Sequence, residues 1–470
     1  MFDSTVSCIA VLRSAAIVSS MMLVALAGCQ PTEVESGSDT VSETTAAVSE
    51  IPLRVWIVAP LAEPDLLQRQ WLASSEQQIE LRSLTVSELL QESQSQCDVL
   101  IYPANLIGEL IERSWIVKLP SSVLQPIGTD SADAELATTP ATWQAQAAYG
   151  GEAKGLSLGC PVPVFVASTT LTTNDSVVTW QNVLNQLQIE TSESPQFSFD
   201  SADVDADALV DRFFAIVASL SDRDPGYGML FDLQSMQSRL TEPEYRRAAS
   251  ILAALGSQPG GLASILGSHS TAWTWAATRE TPALGIAAPA LLDKPAAAIV
   301  TGSIVSMLAN SADFENTSST KLTGDISAER PQIAWWSTGA GLVASQSSQC
   351  RQTNQTKAFL HWLNSPSTRS VLATLLAGAE TSSSGTGGET LSWKAVQKLS
   401  QTMTVKGLSL EPRLPSTALY RRKLSDELQQ FLVGKKNAQQ ALQAAAQRWN
   451  AITEEAGQRQ RRSYEQSLNL

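Results

Sequence analysis

The stretch GLSLG around Ser157 has the G-x-S-x-G spacing that presents a serine nucleophile in many hydrolases. That chemistry needs a strand before the serine and a helix directly after it, because the helix N-terminus stabilises the oxyanion. Here Pro161 and Pro163 follow, and the residues beyond them favour an extended strand. A triad partner is formally available in His269 or His361, but the second lies in the amphipathic segment KAFLHWLN, where packing is the simpler role. We therefore predict that Ser157 is not a nucleophile.

A second motif, GAGLVA from Gly339 to Ala344, has the G-x-G-x-x-A spacing of dinucleotide sites. Such a site needs a helix after the glycines and an acidic residue about 20 positions further on. The polar segment SQSSQCRQTNQ follows instead, and no Asp or Glu occurs between Glu329 and Glu380. We predict no dinucleotide site here and no cofactor for the chain.

The amino terminus, residues 1–28, has the parts of a signal peptide. Arg13 precedes the apolar run AAIVSSMMLVALAG, which is too short for a comfortable membrane span. The run ends in LAG followed by Cys29, which resembles the bacterial lipobox. The resemblance implies that Cys29 is acylated and becomes the first residue of the mature protein, so that its acyl chains hold the protein on a membrane. The alternative is an ordinary signal peptide with an incidental cysteine.

Apart from Cys29 and Cys8 in the signal segment, the cysteines are Cys97, Cys160 and Cys350. Three thiols in an oxidising compartment permit at most one disulfide. The sequence has no CxxC pair and only two histidines, which lie far apart. This inventory predicts no metal site, since zinc needs a cluster of Cys and His ligands.

Composition bounds the class of protein. A chain of 470 residues is long enough for two or three domains of about 150 residues, and its formal charge of −14 disfavours a phosphate backbone as partner. We therefore exclude nucleic acid. Residues 29–50 are rich in Ser, Thr and Glu and contain no Lys or Arg, which predicts a disordered acidic tether.

From residue 51, strand-like and helix-like segments alternate. LRVWIV, IELRSL and CDVLIYP are predicted strands, and Thr85 and Glu88 form a capping box that opens a helix after the second. Asn105 is expected to cap the next helix, LIGELIERSW. This alternation predicts an α/β fold with a parallel sheet covered on both faces. Ligands then sit at the carboxyl ends of the strands, which Pro60 and Pro103 mark.

The rest of the chain is more helical. DALVDRFFAIVASLSDR is amphipathic, and a second capping box at Thr241 opens a helix that Gly256 ends. Two long helices close the chain, and the second is expected to run unbroken from AQQAL to SYEQ.

Four segments together resemble bacterial extracellular solute-binding proteins of family 1, the capture components of ABC importers. They are CDVLIYPANLIGELIERSWIVKLP, GLSLGCPVPVFVAS, GAGLVASQSSQCRQTNQTKAFLHWLNSPSTRS and GKKNAQQALQAAAQRWNAI. The match is sharpest at Ala358, Phe359, Trp362, Leu363, Ser365 and Pro366. One departure is Ser157, where the family pattern has proline.

The resemblance implies the two-lobed, type 2 periplasmic-binding-protein fold, with parallel or mixed sheets covered by helices and a helical C-terminal region. Lobe I would comprise residues 51–168, lobe II residues 169–328, and residues 329–470 would return to lobe I and add the C-terminal helices. GLSLGCPVPVFVAS would then be a crossover strand at the hinge. The implied function is a clamp without chemistry, in which ligand contacts from both lobes favour closure.

If the ligand is a carbohydrate, aromatic faces would stack on sugar rings while amides and carboxylates bind hydroxyls. The candidate ligand-binding residues lie at predicted strand ends and hinge-side loops, and core packing is the alternative role for each. They are Trp335, Trp336, Tyr102, Asn105, Trp56 and Trp275.

The resemblance also implies the partners: a small-molecule ligand, an ABC permease and the membrane that holds acylated Cys29. The protein would be a monomer in the periplasm or at the cell surface. Two other functions stay open: a surface glycosidase that uses paired carboxylates, and a sensor or adaptor lipoprotein with the same fold.

Overall fold

The structure is a computed structural model. It describes residues 51–58, 64–124, 141–159, 164–168, 184, 191, 194–220, 228–257, 274–277, 285–286, 296–300, 303–307, 335–337, 339, 341–365, 368 and 408–469. The predicted signal peptide, Cys29 and the acidic tether lie outside these residues, as do Cys160 and His269. Every helix in the described ranges is too short or too polar to cross a bilayer.

Strands and helices alternate along the first part of the chain, as the hydrophobic pattern predicts. The strands are β1 (Leu53–Ile57), β2 (Ile79–Ser83), β3 (Val99–Pro103), β4 (Ala148–Tyr149), β5 (Glu152–Ala153), β6 (Leu156–Ser157), β7 (Val164–Ser168), β8 (Thr274–Ala277), β9 (Gly285–Ile286), β10 (Ala296–Val300), β11 (Ser303–Met307), β12 (Trp335–Ser337), β13 (Leu342–Gln346) and β14 (Leu408–Leu410).

The helices begin with α1 (Pro64–Ser75), α2 (Val86–Gln91), α3 (Ile107–Glu112), α4 (Ser121–Leu124) and α5 (Ala141–Ala147). They continue with α6 (Ala206–Leu220), α7 (Pro243–Gly256), α8 (Thr353–Asn364), α9 (Thr417–Leu432), α10 (Ala438–Ala456) and α11 (Gln458–Ser467). Short 3-10 turns span Ala104–Leu106 and Ser201–Asp203.

The first sheet has the strand order β2-β1-β3-β13-β6. β1 pairs in parallel with β2 and β3, while β13 returns from much later in the chain and runs antiparallel between β3 and β6. The carboxyl end of β3 therefore meets the beginning of β13, with Pro103 opposite Leu342.

Apolar side chains cover both faces of this sheet, because successive strand residues point to opposite sides. One face packs Val55, Ile101 and Ala344 against α1 and α8. The other packs Leu100 and Val343 against α3. Such two-sided burial explains why β3 is a continuous hydrophobic run and why β1 is apolar except at Arg54.

The second sheet has the order β11-β10-β7-β8-β9, with β7 parallel to β8 and antiparallel to β10. The stretch Gly155–Ser168 contributes β6 to the first sheet and β7 to the second, so this part of the chain passes from one sheet to the other. Ser157 lies in β6, and the next element among the described residues is the strand β7 and not a helix. Likewise, Gly341 leads directly into β13.

A helical cluster forms a third apolar core. It is built from α6, α7, α9 and α10, and it also buries Trp336, Phe231 and Tyr464. Phe231 lies at its centre: its ring centroid is 5.3 Å from that of Trp449 and 5.5 Å from that of Tyr420. β12 and β14, a parallel pair, bring Trp336 to this cluster.

Local signals explain some helix ends, and three expectations need correction. The capping box of Thr85 and Glu88 is present as predicted. Asn105 is not a cap: it lies inside the 3-10 turn that precedes α3, because the chain turns two residues earlier, at Pro103. Thr241 is not a cap either, since α7 begins after Glu242 with Pro243 at its first position. Finally, Gly457 adopts φ 62° and separates α10 from α11, where one helix was expected.

Candidate ligand-binding site at the edge of the first sheet

The candidate site is the place where β3 ends and β13 begins, and we call Ala104, Asn105, Gly339 and Gly341 the sheet edge. The N–H of Ala104 donates to the carbonyl of Gly341 at 2.8 Å, and the N–H of Asn105 donates to that of Gly339 at 3.0 Å. These bonds extend the pairing of the two strands beyond the sheet. The first turn after β3 is therefore held against the chain that enters β13.

Neither Gly339 nor Gly341 has room for a side chain, because other residues lie close to the backbone at both positions. A Cβ on Gly339 would collide with Cβ of Asn105 and with Oε2 of Glu411, and it would lie 3.1 Å from Cα of Asn105. A Cβ on Gly341 would lie 2.6 Å from both polar atoms of the Gln146 carboxamide. The two glycines of the rejected dinucleotide motif thus have a packing role: they let an amide and a carboxylate approach the backbone.

Asn105 has the polar side chain best placed to meet a ligand at this edge. It is half-buried, and its carboxamide makes no hydrogen bond to any described residue. An amide offers two donors and one acceptor, so it can bind a hydroxyl in either direction. Asn105 therefore combines partial exposure with unused hydrogen-bonding capacity where ligands bind in open α/β sheets.

Glu411 lies directly behind the sheet edge and is 4% exposed. Its Oε2 accepts the N–H of Gly339 at 2.6 Å. Its Oε1 accepts from Nη1 of Arg421. Both carboxylate oxygens are thus engaged by a backbone amide and a guanidinium, which makes these bonds short and strong.

Arg421 connects this carboxylate to the helical cluster. From α9 it donates Nη1 to Oδ1 of Asp211 at 3.0 Å and Nε to Oδ1 of Asp207 at 2.6 Å, both on α6. The side chains of Arg421, Asp211 and Glu411 are 6%, 2% and 3% exposed, whereas that of Asp207 is 74% exposed. Two buried carboxylates and one exposed carboxylate thus surround a single guanidinium, so acidic groups outnumber basic ones in this network.

The pKa values respond to that arrangement. Burial raises the pKa of Asp211 to about 7, Arg421 opposes the rise, and the nearby carboxylate of Glu411 adds to it. Burial by itself would lower the pKa of Arg421, but Asp211, Glu411 and Asp207 raise that pKa well above its ordinary value. Asp211 therefore holds its proton to a higher pH than an ordinary aspartate does.

Arg413, two residues after Glu411, is a second buried guanidinium, and backbone carbonyls hold it. Nη1 donates to the carbonyl of Gln146 at 2.8 Å and also to those of Ala145 and Ala148, while Nη2 donates to the carbonyl of Ser467. Burial lowers the pKa of Arg413 to about 10, which leaves it charged at neutral pH. It ties the end of α5 to the end of α11.

The six predicted ligand-binding residues do not lie together in one site. Trp336 is fully buried, with its ring centroid 4.9 Å from that of Phe214 in the helical cluster. Tyr102 is fully buried in the first sheet, and its hydroxyl lies 2.8 Å from Oγ of Ser345. Trp56 is 4% exposed, with the Arg82 guanidinium 5.0 Å above its ring.

Trp335 and Trp275 are described only as backbone, in β12 and β8. Of the four predicted residues whose side chains are described, Asn105 alone is more than slightly exposed. In this conformation Trp336, Tyr102 and Trp56 pack as core residues. Their contact with a ligand stays a prediction.

Ser157 is 2% exposed, and its hydroxyl donates to the carbonyl of Gly159 at 3.2 Å and lies 3.4 Å from Oε1 of Gln146. It therefore helps to hold Gln146 beneath Gly341. Sequence reasoning missed Glu411, Arg421 and Asp211, because isolated charges in EPRLPSTALYRR and DALVDRFF have no spacing that indicates a shared network.

No family model and no curated protein sequence matches this chain. Solved structures do match in fold. A solute-binding protein of an ABC transporter from Agrobacterium radiobacter K84, in complex with ribitol, is 12% identical over 86% of this chain and 100% of its own, with a TM-score of 0.52. One from Thermotoga lettingae TMO, bound with α-D-tagatose, is 12% identical over 85% and 99%, with a TM-score of 0.50.

The fold of this chain is thus that of the two-lobed periplasmic binding proteins, an α/β fold with mixed sheets and a helical C-terminal region. Both matched structures are solute-binding proteins of ABC transporters.

Proposed function

We propose that this chain is an extracytoplasmic solute-binding protein that captures a small carbohydrate or polyol and delivers it to an ABC permease. The observation that carries the proposal is the Asn105 carboxamide, half-buried at the carboxyl end of β3 and without a hydrogen-bond partner among the described residues. An amide with free donors and a free acceptor suits a hydroxyl-rich ligand. The two structural neighbours hold ribitol and α-D-tagatose, which are ligands of that chemistry.

The proposed mechanism is closure of two lobes around the ligand, with lobe boundaries at residues 51–168, 169–328 and 329–470. A ligand that contacts both lobes stabilises the closed form by its difference in affinity between the two forms. Asn105 would contribute from the first sheet. Trp335 and Trp275, from β12 and β8, are the proposed aromatic contacts whose side chains could stack on a sugar ring.

We also propose that the protein is a monomeric lipoprotein anchored through acylated Cys29. The 29–50 segment carries only acidic charges, so an anionic lipid surface would repel it and hold the binding domain away from the membrane. A permease in that membrane would then be within reach of the tethered protein.

The test is a thermal-shift panel on the mature protein, with ribitol, α-D-tagatose, maltose, amino acids and inorganic ions as probes. A specific ligand at 100 times its Kd stabilises the folded state by about 2.7 kcal/mol, and this stabilisation grows with the logarithm of ligand concentration. One chemical class of probe should therefore raise Tm, and the rise should continue logarithmically above Kd. Replacing Asn105 by Ala should weaken binding of that ligand about 10-fold, because a buried hydroxyl loses its partner.

The matched control is Asn450→Ala. Asn450 is also half-buried, but it lies on α10 and bonds to Gln237 and Ser238. Its loss should lower Tm without changing ligand affinity. A protein that consumed a probe would be an enzyme, and one that no probe stabilised would fit the adaptor alternative. Either result would overturn the proposed function.

A further inference from the structure

We infer that Glu411 is a positioning residue that holds the sheet edge in place and couples it to the helical cluster. The contacts form one continuous path. α6 and α9 meet Glu411 through Arg421, Glu411 accepts the N–H of Gly339, and the carbonyl of Gly339 accepts the N–H of Asn105. Asn105 is thus three contacts away from Arg421.

The path is stiff for physical reasons. Glu411 is 4% exposed, and its 2.6 Å bond to the Gly339 amide is short because a carboxylate accepts it away from water. Gly339 has no Cβ, and any Cβ would collide with Glu411 and Asn105, so the three groups lie in direct contact. A displacement of the helical cluster would therefore move Gly339, and with it the turn that carries Asn105.

Glu411 also belongs to the chain segment that leaves β14, which pairs with β12 just before Gly339. The carboxylate thus joins two segments that run between the helical cluster and the first sheet. This location explains why a carboxylate is buried here despite the free-energy cost of removing it from water. A neutral side chain could accept a hydrogen bond from the Gly339 amide, but it could not also form an ion pair with Arg421.

The chain offers a matched control in Glu427. It lies on α9, its side chain is 2% exposed, and it is also doubly ion-paired, with Lys436 and with Nη2 of Arg448 at 3.0 Å. Among the described residues Glu427 makes no contact with the sheet edge, because its partners Lys436 and Arg448 lie in the turn after α9 and in α10. Glu411→Ala and Glu427→Ala should therefore destabilise the protein through the same loss of buried ion pairs.

The experiment measures amide hydrogen exchange and the ¹H–¹⁵N spectrum of the ligand-free mature protein and its variants. We expect Glu411→Ala to speed exchange of the Gly339 amide about 10-fold or more relative to Glu427→Ala, because a bond to a charged acceptor is lost. The short bond to a carboxylate should place the Gly339 amide proton downfield in the wild type, and Glu411→Ala should move it upfield. The Asn105 amide should lose protection as well.

The variant Glu411→Gln distinguishes the positioning of Gly339 from the contribution of Glu411 to overall stability. Its amide oxygen can still accept the Gly339 N–H, so most of the protection at Gly339 should return although the charge pair with Arg421 is gone. Equal exchange at Gly339 in Glu411→Ala and Glu427→Ala would overturn the inference, as would a Gly339 proton shift that none of the variants moves.

The role of Glu411 rests on the proposed function in one respect only, namely that the sheet edge it holds contacts a ligand. Since all measurements are made without ligand, failure to find any ligand would overturn the proposed function and leave the exchange result decisive for Glu411.

Discussion

Replacing Arg421 by Met tests the buried charge network most directly. The substitution keeps the apolar stem and leaves Asp211 and Glu411 without their guanidinium. Breaking a buried ion pair costs about 3–5 kcal/mol, because an uncompensated charge stays in the interior. Asp207 is 74% exposed and adds at most about 1 kcal/mol, since water screens it. Two buried carboxylates do not double the cost, because protonating one of them relieves the other.

That last point makes the loss depend on pH. At pH 8 the buried carboxylates of the variant either stay charged without a partner or become protonated, and protonation is unfavourable at this pH. We therefore expect the free energy of unfolding to fall by about 3–5 kcal/mol. At pH 5 protonation of Asp211 is easy, since burial already raises its pKa to about 7, and the loss should be smaller. Urea unfolding followed by tryptophan fluorescence measures both values.

The control is Arg422→Met, on the same helix turn but exposed. It should change stability by less than about 0.5 kcal/mol. A loss below about 1 kcal/mol for Arg421→Met at pH 8, or a larger loss at pH 5 than at pH 8, would refute the assignment of Arg421 as the compensating charge for two buried carboxylates.

Two further predictions concern Asp211 and Cys29. Because burial raises the pKa of Asp211 from 3.8 to about 7, the folded wild type holds a proton between these values that the unfolded chain has released. The free energy of unfolding should therefore fall as pH rises from 4 to 7, by up to about 1.4 kcal/mol per pH unit. Asp211→Asn should flatten this dependence in urea titrations, and parallel curves for the two proteins would contradict the shift. Cys29→Ala should abolish incorporation of labelled palmitate and release the protein from the membrane fraction; undiminished labelling would show that the anchor is elsewhere.

Local signals predicted much of the first sheet. The alternation in LRVWIV, IELRSL and CDVLIYP corresponds to β1, β2 and β3, and the Thr85–Glu88 capping box opens α2. These features depend on residues within one or two turns of each other, so periodicity and capping chemistry suffice to find them. The failures were also local: a 3-10 turn, and not a cap, at Asn105, and a helix break at Gly457 that its glycine could have signalled.

The sequence by itself determined the α/β class of the fold. Buried strands and amphipathic helices each leave a periodic hydrophobic pattern, and capping residues and prolines mark where these elements end. It also determined that GLSLG and GAGLVA lack the following helix that their chemistry needs. Only the tertiary structure decided which polar residues share one place. Arg421 and Asp211 are 210 positions apart, and Gly339 and Glu411 are separated by 72. Such groups meet only when β13 is inserted into the first sheet and α9 packs on α6. Electrostatic contacts depend on distance in space, and no periodicity along a single chain records them.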